Sequence, residues 1–117
     1  MNKRTVGTEY ERVARTYLEQ HQVSILTINY RCQFGEIDLI AYDKGCLVFV
    51  EVKYRKNHNV GYAQEAVNWK KQKVISKVAS YYCMTHQTSG NQEIRFDVVA
   101  ITGDEITWIQ DAFVYCE

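Results

Sequence analysis

The stretch Leu47-Val48-Phe49-Val50-Glu51-Val52-Lys53 reads as a buried β-strand interrupted by two charges. Side chains alternate across a strand, so Glu51 and Lys53 point one way while Val48, Val50 and Val52 fill the other face. Charged groups are rarely buried unless paired or bound to a metal, because desolvation costs roughly several kcal/mol per ion. Just upstream, Phe34-Gly35-Glu36-Ile37-Asp38-Leu39-Ile40-Ala41 has the same character, with Glu36 and Asp38 on one face and Ile37, Leu39 and Ala41 on the other. If the two strands pair, a one-residue slip would exchange every core side chain for a polar one, so the register holds the acids on one side. Asp38 and Glu51 then form a hard-oxygen site suited to magnesium or manganese, with Lys53 beside it. A salt bridge of Lys53 with Glu51 or Asp38 is the simpler account of a lone Glu-x-Lys. Two adjacent strands that each carry a polar pair at i, i+2 favour the metal.

Working outward, these strands belong to a run of three apolar, β-branched segments at about 23 to 30, 34 to 42 and 45 to 54. The spacers, Asn29 to Gly35 and Asp43-Lys44-Gly45, are turn-prone and short, which predicts an antiparallel meander. Before it, Tyr10, Val13, Ala14, Tyr17 and Leu18 recur at helical spacing over residues 8 to 21, with Thr8 as the expected N-cap. After it, Gly61 opens a segment in which Ala63, Val67, Val74, Val78 and Tyr82 mark a long second helix to about Met84. Thr88-Ser89-Gly90-Asn91 reads as a loop, Ile94 to Ile101 as a fourth strand, and Ile106 to Ile109 as a short fifth. A helical crossover of that length makes the fourth strand parallel to an earlier one. The expectation is an α/β fold with an αβββαβ core, a mixed central sheet flanked by helices, and a β appendage.

At 117 residues, with no repeat or linker-like run, residues 1–117 form one domain. The chain is 46% apolar and 24% charged, and no apolar run nears the ~18 residues of a membrane span, so disorder and membrane embedding are excluded as expectations. The basic start, Met1 to Gly7, has no apolar stretch behind it and predicts a cytoplasmic location. Cys32, Cys46, Cys83 and Cys116 form no CxxC pair and read as free thiols. Net charge is zero, which argues against binding nucleic acid by bulk charge. The distribution is uneven: seven basic residues (Lys53, Arg55, Lys56, Lys70, Lys71, Lys73, Lys77) stand against Glu65 between Lys53 and Lys77, whereas six acids face one base from Glu93 to Glu117. A solvated lysine face and a phosphate-facing surface both fit the basic segment.

Three blocks in order, Gly35 to Ala41, Val48 to Arg55 and Arg95-Phe96-Asp97-Val98-Val99-Ala100, make the chain resemble the bacterial YraN family. That family is assigned to the PD-(D/E)XK, or restriction-endonuclease-like, nuclease superfamily. The resemblance runs from about Gly7 to Phe113 and extends to the archaeal Holliday-junction resolvases. It implies a magnesium- or manganese-dependent endonuclease acting on DNA, with branched or structured DNA favoured. Asp38 and Glu51 would ligate the metal, joined by the Val52 carbonyl, and Lys53 would orient the attacking water or stabilise the charged transition state. An acid on the first helix completes the metal site in the resolvases, and Glu9 is the position matched to it. A resolving enzyme cuts two strands, so the resemblance also implies a symmetric homodimer.

Phosphate anchoring falls to Arg55, Lys56, Lys70, Lys71 and Lys73. Glu9 lies about 40° from Val13 around the first helix, at the flank of the apolar stripe, from which it leans toward the sheet or stays in solvent as a first-turn glutamate. Taking Val67 as the origin, Lys71 at about 40° and Gln64 at about 60° fall inside the second helix's apolar stripe, where they either snorkel to the rim or reach the phosphate. Arg95 and Asp97 share a face of the fourth strand and read as a structural ion pair. Two rival functions remain: a nucleic-acid-binding module that keeps the nuclease fold without cutting, and a structural protein whose polar face is a buried ion-pair network.

Overall fold

A computed structural model of the chain describes the backbone of residues 3–56 and 67–116, with side chains from residue 7 onward. In chain order the elements are α1 (Lys3–Gln20), β1 (Ser24–Cys32), β2 (Gly35–Asp43), β3 (Cys46–Arg55), α2 (Trp69–Thr85), β4 (Glu93–Thr102) and β5 (Glu105–Phe113). The strands form one sheet in the order β1-β2-β3-β4-β5. β1, β2 and β3 make the expected antiparallel meander, β3 and β4 run parallel across the α2 crossover, and β5 returns antiparallel on β4. The αβββαβ arrangement and its mixed sheet therefore stand, and β5 is a full strand rather than a short appendage. No helix among the described residues is long and apolar enough to cross a membrane.

Local chemistry explains the tight connections. Lys44 and Gly45 both have positive φ, 52° and 84°, which is the backbone of a two-residue hairpin whose twist matches that of the strands it joins. Gly35, at the foot of the β1–β2 hairpin, has φ 147°, and a Cβ there would stand 2.8 Å from Val74 Cγ1 of α2. A side chain at this position would hold the second helix off the sheet.

The sheet is covered on both faces. On one, Ala14 and Leu18 of α1 pack on Leu39, Ala41, Val48, Val50, Val99 and Ile101. On the other, Ile75, Val78, Ala79 and Tyr82 of α2 pack on Ile37, Ile40, Leu47, Phe49 and Phe96. As the central strand, β3 is thus apolar on both faces through Val50, and the alternation of Val48, Val50 and Val52 against Glu51 and Lys53 holds.

Three local expectations change. Thr8 lies inside α1 rather than capping it, since the helix begins at Lys3. The second helix, α2, starts at Trp69: Asn68 is extended (φ −79°, ψ 171°) and its side chain accepts from the Lys71 amide at 2.9 Å as the N-cap. Val67 is outside the helix, and the parts of the expected helix on residues 57–66 lie outside the described residues. Ile37 also departs from strict alternation, joining the α2-side core while Leu39 joins the α1 side. In the β1–β2 ladder the register shifts between Ile25 and Thr27, and Asn29, between the pairs Ile28↔Leu39 and Tyr30↔Ile37, has a φ of 54°.

Candidate metal centre at the carboxyl end of β3

Asp38 and Glu51 meet just past the end of the β2–β3 ladder. The ladder runs from Asp43↔Cys46 to Leu39↔Val50, and the two acids are the next residues along each strand, their carboxyls hydrogen-bonded to each other. At that step the side chain takes over from the backbone: Asp38 Oδ2 accepts a hydrogen bond from the Val52 amide at 2.8 Å. Asp38 is thereby fixed where β2 parts from β3, at the carboxyl end of the parallel β3–β4 pair, where open α/β sheets place their ligands.

Glu51 is 5% exposed, yet two ammonium groups reach it. Lys53 Nζ lies 3.5 Å and Lys71 Nζ 3.4 Å from the same oxygen, Oε2, one from the strand and one from the first turn of α2. Asp38 has no such cation among the described residues. Burial, then the charge of Glu51 and hydrogen bonding between the two carboxyls, push its pKa up to about 9, against which the Val52 amide pulls it down. Two acids forced together, one of them holding its proton for want of a cation, is the arrangement a divalent ion relieves by displacing that proton. The donor set fits such an ion: both ligands are hard oxygens, and magnesium commonly takes one or two carboxylates and fills its remaining positions with water and phosphate. Among the described residues no third Asp, Glu, His or Cys completes a three-ligand cluster.

The remaining expected residues divide. Lys71 is brought beside Glu51. Val52 enters through its amide. Arg55 is half-buried, its Nη1 donating to the Tyr54 carbonyl at 3.0 Å, while Lys56 and Lys70 are exposed beyond the end of β3 and at the start of α2. Lys73 sits over the Trp69 ring, 4.6 Å from its centroid, away from Glu51. Gln64 lies outside the described residues.

Glu9 is exposed and paired with Arg12, whereas the α1 acid whose charge reaches Asp38 is Glu11. The sequence held a signal for this. The buried residues of α1 are Ala14 and Leu18, and Glu11 lies about 20° from Leu18 around the helix, against about 180° for Glu9. Measuring from half-buried Val13 instead of the stripe's centre hid it.

Arg95 and Asp97 form a separate centre on the other, α1-covered face of the sheet. Arg95 Nε and Nη2 donate to Asp97 at 2.8 Å each, and Nη2 also to Asp43 at 2.9 Å. Trp108 Nε1 and the Asp111 amide donate to the fully buried Asp97, both at 2.9 Å. Both oxygens of Asp97 are satisfied by the fold itself, as the reading of a structural ion pair requires.

Fold and site together define a small α/β domain with a lysine-flanked carboxylate pair at the edge of its central parallel strands. The chain belongs to the family described as "Uncharacterised protein family UPF0102", whose profile matches residues 10–101, the family to which the YraN resemblance points. It is 47% identical to a UPF0102 protein of Aliivibrio fischeri over 116 residues, covering 97% of this chain and 94% of the relative. A UPF0102 protein of Lachnoclostridium phytofermentans is 43% identical (97% and 96% covered), and one of Caldicellulosiruptor bescii 44% identical (97% and 100%).

Proposed function

We propose that the protein is a divalent-metal-dependent endonuclease or phosphodiesterase acting on DNA, with branched or structured DNA as the favoured substrate. The observation that carries this reading is the juxtaposition of Asp38 with Glu51, one acid neutralised by lysines and the other left facing it. Asp38 and Glu51 would hold magnesium or manganese, with the Val52 carbonyl and Glu11 or Glu9 as further oxygen donors. A bound ion supplies a polarised phosphoryl oxygen and a water acidified toward hydroxide. Lys53, held 3.5 Å from Glu51, orients the attacking water or stabilises charge on the phosphate, and Lys71 is placed for the same work from the helix side. Arg55, Lys56 and Lys70 stand near this edge as phosphate anchors that position without reading sequence, and Lys73 would anchor phosphate farther off, on the outward side of α2. Cutting both strands of a junction requires two such sites, so a symmetric homodimer belongs to this reading.

Contacts of Lys53 and Lys71 with Glu51 equally suit a non-catalytic nucleic-acid-binding module. Calorimetry with Mn2+ separates the two: wild type binds the ion, and Asp38→Asn and Glu51→Gln each abolish binding. A cleavage panel on four-way junctions, flaps, single strands and duplex then shows metal-dependent cutting that both variants lose. Unchanged Mn2+ affinity in both variants would remove the site as drawn.

A further inference from the structure

The outward side of α2 carries a row of side chains that the metal site does not use. Trp69, Lys73, Lys77 and Tyr81 recur every four residues and so form one ridge, about 18 Å from first to last. Two cations stand between two rings along it. Lys73 Nζ lies 4.6 Å from the Trp69 centroid, Lys77 Nζ lies 5.5 Å from that of Phe34, and Phe34 meets Tyr81 edge-on at 5.8 Å. Tyr115, tied to Ser80 by a 2.8 Å hydroxyl contact, completes with Phe34, Lys73 and Lys77 a groove of about 460 Å³. Trp69 remains 63% exposed, Phe34 42% and Tyr115 44%, so aromatic surface is left in water beside cations.

A double helix hides its base faces in the stack and offers such rings little. An unpaired strand presents base faces to the rings and phosphates to the lysines at once. We infer that this ridge is a track for single-stranded DNA, lying on the side of α2 opposite the one that meets the Asp38 and Glu51 site. The first turn of α2 carries both Trp69 and Lys71, the latter about 160° around the helix and touching Glu51, so the ridge begins about one helix width from that site. What the track feeds rests on the nuclease reading; the binding itself does not.

Labelled oligo(dT) and a duplex of equal length are titrated into the full chain, in EDTA and again with Mn2+. Oligo(dT) is expected to bind about tenfold more tightly than duplex, to quench tryptophan fluorescence, and to lose roughly fivefold or more of its affinity with Trp69→Ala or Phe34→Ala, Mn2+ affinity being unchanged. Trp69→Phe, which keeps a ring, restores part of that loss. Duplex binding as tight as oligo(dT), or alanine variants that are folded by circular dichroism and bind oligo(dT) like wild type, overturns the track. Cleavage is scored separately: tight oligo(dT) binding with no metal-dependent cutting sinks the nuclease reading and leaves the track standing.

Discussion

Asp38 and Asp97 are both acids withdrawn from water, and their surroundings set their roles. Asp97 is met by a guanidinium, an indole and an amide, whereas Asp38 is met by one amide and another acid. The first arrangement stabilises a fold; the second costs it something unless a cation is present. The cost has a pH signature. Asp38 titrates near its ordinary value in the unfolded chain and at about 9 in the folded one, so between those values the folded chain holds a proton the unfolded chain has released. Stability is fullest below that window and falls as pH rises through it. The side-chain amide introduced by Asp38→Asn cannot ionise and still offers an oxygen to the Val52 amide. In EDTA that variant therefore becomes more stable than wild type as pH rises, on the order of a few kcal/mol at pH 8. Urea unfolding at pH 5 and pH 8 measures this. A loss of more than about 3 kcal/mol in the variant would instead mark Asp38 as half of a buried ion pair. Metal binding, which needs the ionised acid, should strengthen over the same pH range.

Between elements, the site depends on how closely α2 lies on the sheet, because Lys71 reaches Glu51 from the helix. Two features set that distance. Asn68 starts the helix, and Gly35 leaves Val74 the space to approach the β1–β2 hairpin. Gly35→Ala adds a methyl into a 2.8 Å gap and forces a side chain onto a φ of 147°, so the expected loss is about 1–3 kcal/mol in urea unfolding. Helix displacement should also loosen Lys71 from Glu51, lowering DNA cleavage more than Mn2+ affinity. A variant as stable as wild type would show that the helix does not bear on the hairpin at this point. Helix boundaries themselves were poorly legible: the apolar period continued upstream through Val67 and Ala63, and only the competition between that period and the Asn68 cap decided where α2 begins.

At the scale of the whole molecule, two charged centres lie on opposite faces of one sheet, Asp97 on the α1 side and Glu51 on the α2 side. Arg95, Asp97 and Asp43, with Trp108 and the Asp111 amide, tie β2, β4 and β5 together across the strand order. Asp97→Ala leaves Trp108 Nε1 and the Asp111 amide without their acceptor and removes a partner of Arg95, for an expected loss of about 3–5 kcal/mol by urea unfolding. Under conditions where the variant remains folded, Mn2+ affinity should stay at the wild-type level, since no residue is shared with the Asp38 and Glu51 site. A parallel loss of metal affinity would join the two centres into one.

Much of this was fixed by local rules that a sequence carries openly. Two-residue alternation placed Glu51 and Lys53 away from Val48, Val50 and Val52; the short spacers dictated a meander; the long helical connection made β3 and β4 parallel; and three sequence blocks pointed to the family. Tertiary structure alone decided the rest. Alternation assigns a face but no neighbour, so the meeting of Asp38 with Glu51 awaited the packing of β2 on β3, and the approach of Lys71 to Glu51 awaited the seating of α2 on the sheet. The ridge of rings and cations on α2 was divided in the sequence between a lysine-rich helix and the distant Phe34 and Tyr115. Contacts between residues far apart in the chain depend on how elements pack, and packing is settled by burial of whole faces rather than by any local pattern.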